Sequence, residues 1–488
     1  MMAQNTGSEP PYQTKLNNVR ISKTHLPLKR NLEPVGNLKK ILDDCHNYIY
    51  ANEGLRKEQI FNEVLKLMFM KMVDEQLPSE ICEFGITESE MEELSGGRKG
   101  RFIDRIQKLF TKTKEQFGGI FYVNGTLMLE PRSIAYVIDK LQNLSFTDTP
   151  IDVKGIAFQT FVHAHQRGER GEFFTPYPVV ALCVGVLNPQ YGEMVIDPAC
   201  GSGLFLVQTM KHVWKQMDEQ FEDSPRNSKR LLRSTYADSY IRGIDFNRDL
   251  VRVSKMHMMV YGNGHSGIFC ANSLSPFDEL RKQGEGIEPE SFDILMTNPP
   301  FGTRAKIIEK NLLRQYSLGH KWSYDKNAGI WFQTGDLLKG QIPEVLFVER
   351  CLQLLKEGGR MAIVLPDGEL TNLKSGYLRE FILSHSRLVG IVSLPRETFT
   401  PYGTSIKASV VFLQKLSGDG LESTKKQDYP IMMVVSHKIG YDRKGSIIFR
   451  SDSKKQYTEF LQMASVDTDI LDIVKAFQVF KKEFGIGF

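Results

Sequence analysis

No stretch of this 488-residue chain approaches the roughly 18 consecutive apolar residues of a membrane-spanning helix, so no span is expected. The opening residues, MMAQNTGSEPPYQTK, lack the apolar centre of a secretory leader, which makes a cytoplasmic location the expectation. Cysteine is scarce. The six thiols (Cys45, Cys82, Cys183, Cys200, Cys270, Cys351) form no C-x-x-C pair and have no histidine at zinc spacing. Reduced, buried thiols are therefore expected, and neither a disulfide framework nor a metal site is. Charge of one sign is lacking too: 62 Lys and Arg stand against 58 Asp and Glu, a net charge of +4. A protein that grips nucleic acid alone along a broad face is usually more basic, so a partner is expected to supply much of any phosphate contact. Internal repeats, low-complexity tracts, a Walker loop and a convincing nuclease site are also missing.

What is present divides by pattern. Residues 1–35 are polar, Pro- and Asn-rich, and read as a flexible arm. Residues 36–165 read as a helical domain; Ile60, Val64, Leu67, Met68 and Met72 recur at mostly three- and four-residue steps, as a packed stripe does. Over 166–450, seven short β-branched runs alternate with helical stretches: Met194–Asp197, Ile241–Asp245, Ile268–Ala271, Phe292–Thr297, Met361–Pro366, Val389–Leu394 and Ser409–Gln414. That alternation predicts an α/β fold, a seven-stranded, mostly parallel, Rossmann-like sheet with helices on both faces. Ligands of such sheets sit at the carboxyl ends of strands. Residues 451–488 contain an amphipathic helix over Thr468–Phe484 that could cap the fold or dock a partner.

The first strand ends in VIDPACGSGLFL (Val195–Leu206). The turn is Gly-rich, which lets a backbone approach a ligand closely, but it is neither a dinucleotide fingerprint nor a P-loop. Having no Lys, it suits phosphate poorly, whereas Asp197 could accept from a cationic group such as the ammonium of a methionine moiety. Read blandly, it is a strand–helix turn. The second strand ends in GIDFN, where Asp245 could accept from both hydroxyls of a ribose or merely cap a helix. Upstream, GEFFTPYPVV (Gly171–Val180) offers an aromatic wall at a helix entry, or simply a helix start.

The fourth run ends in Asn298-Pro299-Pro300-Phe301. Two prolines stiffen the backbone, remove two N–H donors and leave carbonyls free to accept. Asn298 Oδ1 and the Pro299 carbonyl could hold both protons of an exocyclic amine, while Phe301 stacks on its ring. An aromatic amine is a poor nucleophile because its lone pair is delocalised. Catalysis on it would be positioning and electrostatics, and these residues supply both.

FFTP, DPACGSG and NPPF, in that order, resemble the amino-methyltransferases of DNA, and from about residue 50 onward the chain is similar to the modification subunits of type I restriction–modification systems. Also similar are Lys154–Pro176, Leu346–Leu370 and Leu394–Lys415. The resemblance implies methyl transfer from S-adenosylmethionine to adenine N6 in duplex DNA. It implies that Gly171, Glu172, Phe173, Phe174, Thr175, Pro176, Asp197, Pro198, Gly201, Ser202 and Gly203 surround the cofactor, that Asp245 holds its ribose, and that Asn298–Phe301 grip the base. Asn272 departs from the family, which usually has Asp there to accept from the cofactor's adenine amine; an Asn oxygen still accepts. Further implied are an N-terminal helical domain, a C-terminal helix on a specificity subunit, two copies per complex, and a restriction (nuclease and translocase) subunit as a further partner. A base inside a duplex must be flipped out to be methylated. About seventy residues follow the seventh strand, too few for a typical recognition domain of roughly 100 residues, so sequence choice is expected from elsewhere. The competing readings are an RNA or protein amino-methyltransferase and a catalytically silent binding subunit.

Overall fold

The computed structural model describes residues 24–488 except 99, 118–119, 122–124, 150–153, 156–157, 159–174, 262–263, 302–305, 418–427 and 451–464. The chain separates into two compact units, Met1–Gln166 and Arg167–Phe488.

The first unit is helical: α1 (Leu38–Glu53), α2 (Lys57–Gln76), α3 (Glu88–Ser95), α4 (Gly100–Gln116) and α5 (Pro131–Leu141). α2 is its axis, packing against α1, α4 and α5. Ile60, Val64, Leu67 and Met68 are buried and Met72 partly so, but all others from Phe61 to Lys71 except Asn62 are buried as well. Buried charges on α2 are paired: Lys66 bonds Glu63, and Lys71 lies 3.4 Å from Glu75. Asp74, also buried, accepts from the Glu83 N–H at 2.8 Å. Residues 24–35, read from sequence as part of an arm, are anchored here instead. Leu28 bridges to Ile81, and Glu33–Pro34 form a two-residue parallel pair with Leu144–Ser145. Backbone pairing and burial of Val35 outweigh their polar composition.

The second unit is built on an eight-stranded sheet, β1 (Val195–Asp197), β2 (Ile241–Asp245), β3 (Ile268–Cys270), β4 (Phe292–Thr297), β5 (Leu355–Pro366), β6 (Ser386–Ser393), β7 (Ala408–Lys415) and β8 (Met432–Val435). Their order across the sheet is β8-β6-β7-β5-β4-β1-β2-β3, and β7 alone runs antiparallel to its neighbours. All seven expected runs are strands of this sheet. The eighth, β8, is a four-residue edge strand too short to announce itself. Its helices include α6 (Tyr177–Leu187), α7 (Leu204–Gln220), α8 (Arg226–Tyr240), α9 (Arg248–Tyr261), α10 (Phe277–Gln283), α11 (Pro343–Leu354), α12 (Gly376–His385) and α13 (Ile470–Glu483). Strand order reverses between β1 and β4, so the loops after these two strands diverge and leave a crevice at their carboxyl ends. β4 suits its central place: every residue but Asp293 is buried, and Asp293 pairs with Lys356 at 2.8 Å.

One further feature was not expected from the sequence, and one answers to the capping role it left open for the terminal helix. Between β4 and α11, His320–Asp325 and Ile330–Leu337 form an antiparallel hairpin, with Tyr324 opposite Trp331. At the C-terminus, α13 caps its own sheet: Ile470, Ile473 and Phe477 are buried, and Phe477 lies 5.1 Å from Phe412. No described helix is long and apolar enough to cross a membrane.

Candidate active site

The Gly-rich turn after β1 is shaped by backbone bonds before any side chain is considered. Gly203 N–H donates to the Cys200 carbonyl at 2.7 Å, and Cys200 N–H to the Ile244 carbonyl at 2.9 Å, tying the turn to β2. Gly201 and Gly203 have φ of +50° and +78°, a region costly for side chains with a Cβ. At Gly203, which opens α7, a Cβ would run into the Ser254 hydroxyl. At Gly201 a Cβ would meet nothing within 4 Å, so the turn faces open space.

Asp245, at the tip of β2, braces that turn. Its Oδ2 accepts from Gly201 N–H at 2.9 Å and its Oδ1 from Asn247 N–H at 2.9 Å. Each oxygen retains lone-pair capacity for a hydroxyl. Asp197, at the tip of β1, is 1% exposed. Burial pushes its carboxyl up to about 7 against the stabilising Ala199 N–H and Thr297 hydroxyl, and the nearby Asp245 charge adds to the rise. The turn is thus flanked by two acids, Asp197 almost wholly buried and Asp245 bonded to its backbone. Pro198 and Ser202 contribute carbonyls to its scaffold: the first accepts from the Ser273 hydroxyl, the second faces His257 Nδ1 at 3.0 Å. Asn272 uses its Oδ1 to accept from Leu274 N–H at 3.1 Å, closing its own turn.

The tetrapeptide lies at the end of β4, beside β1. Pro299 is buried, and Phe301 meets the buried Phe399 edge-on at 6.1 Å and 83°. Asn298 Nδ2 donates to Thr175 Oγ1 at 3.2 Å. Asn298 Oδ1 is buried and has no hydrogen-bond partner among the described residues. A buried acceptor left empty costs free energy unless a donor arrives, so this oxygen is set for an incoming N–H.

The N-6 DNA Methylase family model matches residues 151–468, which take in the whole sheet and every loop just described. The chain belongs to the N-6 DNA methylase family. The methylase is 28% identical over 297 residues to the EcoEI type I restriction enzyme methylase subunit of Escherichia coli, covering 60% of this chain and 51% of that one. To the EcoKI methylase subunit of E. coli K12 it is 24% identical over 398 residues, 79% of this chain and 68% of that one. The alignments thus span between half and two thirds of these relatives. Its fold is that of the type I restriction–modification methyltransferase subunit from Streptococcus thermophilus (TM-score 0.59, 17% identity, 93% of this chain and 94% of that one).

Of the residues singled out from sequence, Gly171, Glu172, Phe173 and Phe174 lie outside the described residues. Pro176 is the N-cap residue of α6. Thr175, expected among the cofactor contacts, accepts through its hydroxyl from Asn298 Nδ2. Sequence reasoning missed Phe246, 75% exposed directly after Asp245, although an aromatic following a strand-end acid was there to be noticed. It also missed His257, kept neutral by burial, which pushes its imidazole down to about 4. Nothing in SKMHMMVY signals that role. Among the described residues, no group of three or more His, Cys, Asp or Glu could hold a metal ion.

Proposed function

We propose that this methylase transfers a methyl group from S-adenosylmethionine to N6 of a flipped adenine in duplex DNA, as the modification subunit of a type I restriction–modification complex in which a separate specificity subunit chooses the sequence. The observation that carries it is Asn298 Oδ1 at the end of β4, buried and without a hydrogen-bond partner among the described residues. The subunit role is supported by relatives that are methylase subunits of type I restriction enzymes.

The chain's polar inventory fits S-adenosylmethionine. Asp245 suits a ribose diol, and the space beside Gly201 admits a ligand against bare backbone. Phe246 offers an exposed face for the adenine ring, and Asp197 can balance an ammonium once it ionises. When bound, the cofactor supplies an electrophilic methyl on a sulfonium. The protein's part is to present the amine. Asn298 Oδ1 and the Pro299 carbonyl each accept one N–H, which draws the lone pair out of conjugation. Phe301, braced by Phe399, supplies the stacking face. Thr175 holds the amide of Asn298 so that oxygen, not nitrogen, faces the amine. No general base is needed before transfer, because the proton leaves a nitrogen already made cationic. Asn298→Ala should abolish methylation of duplex DNA in the assembled complex while calorimetry shows cofactor affinity within twofold of wild type. Substantial remaining activity would sink the assignment.

A further inference from the structure

The third loop of the pocket, 271–276, is fastened to both of its neighbours. Ala271 N–H donates to the Asp245 carbonyl at 3.0 Å, and the Ser273 hydroxyl to the Pro198 carbonyl. Its other side is held by a guanidinium. Arg350 projects from α11 and is 1% exposed. Its Nη2 donates to the Ser275 carbonyl at 2.8 Å and more weakly to the Leu274 carbonyl at 3.4 Å. Its Nε and Nη2 both donate to the Tyr316 hydroxyl, at 2.9 and 2.5 Å, and that hydroxyl donates to the Leu274 carbonyl at 2.7 Å. The rings of Phe277 and Tyr316 cover the cation, their centroids 4.3 and 5.2 Å from the guanidinium carbon. Among the described residues Arg350 forms no ion pair.

A buried charge held in no direct ion pair is expensive, and an apolar side chain among Val345, Leu346 and Leu352 would be cheaper. What an apolar residue cannot do is fix carbonyls in a planar, permanently charged fork. Both carbonyls gripped here belong to one loop of the cofactor pocket, and Tyr316 closes the grip. We infer that Arg350, acting with Tyr316, is a positioning residue that sets the 271–276 loop, so that recognition of the cofactor's nucleobase depends on a buried cation outside the pocket. This rests on the cofactor reading given above.

The test uses the full-length chain, with Tyr316→Phe, Arg350→Lys and Arg350→Met. Affinity is measured for S-adenosylmethionine, and nucleobase discrimination as the affinity ratio of S-adenosylhomocysteine to S-inosylhomocysteine. Tyr316→Phe removes one hydroxyl from a fold left otherwise intact, and should weaken S-adenosylmethionine binding about threefold to tenfold. Arg350→Met should weaken it more than tenfold without lowering the melting temperature, and Arg350→Lys should fall between. In all three the adenine-to-hypoxanthine ratio should drop at least threefold. Wild-type affinity and ratio in folded Tyr316→Phe and Arg350→Met would overturn the inference. So would equal losses for both nucleobases, since those mark general loosening. A wild-type chain that binds no S-adenosylmethionine, or an Asp245→Ala chain that binds it normally, would instead overturn the cofactor reading itself.

Discussion

Thr175→Val separates two roles for one residue. The substitution keeps the shape of the side chain and removes the hydroxyl that accepts from Asn298 Nδ2 at 3.2 Å. A buried amide donor left without an acceptor costs roughly 1–3 kcal/mol. The amide can recover part of this by rotating, which turns Nδ2 toward the incoming amine, where a donor is useless. Either route raises the barrier to transfer. At about 1.36 kcal/mol per decade, kcat should fall roughly 5- to 150-fold. The assay is single-turnover methylation of duplex DNA by the assembled complex at saturating cofactor, with cofactor affinity measured alongside. Affinity should stay within twofold, and Thr175→Ser, which restores the hydroxyl, should recover most of the rate. A Thr175→Val enzyme with unchanged kcat and weakened cofactor binding would refute the reasoning and return Thr175 to the cofactor contacts suggested by its motif.

Three other outcomes are expected. Asp245→Ala removes the acceptor for two backbone N–H groups as well as the ribose contact; with charge-assisted bonds worth roughly 1.5–3 kcal/mol each, cofactor Kd should rise about 100-fold by calorimetry, and Asp245→Asn should lose less. Asp197 has its carboxyl raised to about 7 from an ordinary 3.8, so the ligand-free protein holds this group's stabilising share in full below pH 4 and loses it as pH rises through 7. Thermal melts of Asp197→Asn should lack that slope, and in the parent chain cofactor affinity should tighten from pH 5.5 to 7 as a proton is released. Phe477→Ala should cost about 3–5 kcal/mol in urea unfolding because α13 is spliced into the core, whereas Val479→Asp, at a position 64% exposed, should be nearly silent.

The legible parts of this molecule are those in which local pattern and tertiary role coincide. β4 reads FDILMT because a central parallel strand is apolar on both faces, and the residues that follow it are the ones its position makes useful. The Gly-rich turn was visible because positive φ and close approach both demand glycine. Elsewhere the fold depends on pairings that no local window contains. Thr175 and Asn298 are 123 positions apart, and nothing in FFTP says that its hydroxyl accepts from the tetrapeptide's Asn298. β8 is four residues at an edge, and the 320–337 hairpin gains its order from Trp331 packing over Gly376 and near Tyr377.

The Glu349–Arg350 pair makes the same point with more force. In EVLFVERCLQLL the two charges stand among apolar residues, and both side chains are buried. Glu349 accepts from Ser317 and Leu318 N–H, each at 2.8 Å, while Arg350 grips the carbonyls of Leu274 and Ser275. The anion takes N–H groups of the 317–318 segment, and the cation takes carbonyls of the 271–276 loop. One turn of α11 therefore fastens two backbone segments with opposite charges, each matched to the backbone polarity it meets. An apolar pair would fill the same volume at lower desolvation cost but would leave both backbone segments to find other partners. Polar burial here fixes two backbone segments that an apolar pair would leave unheld.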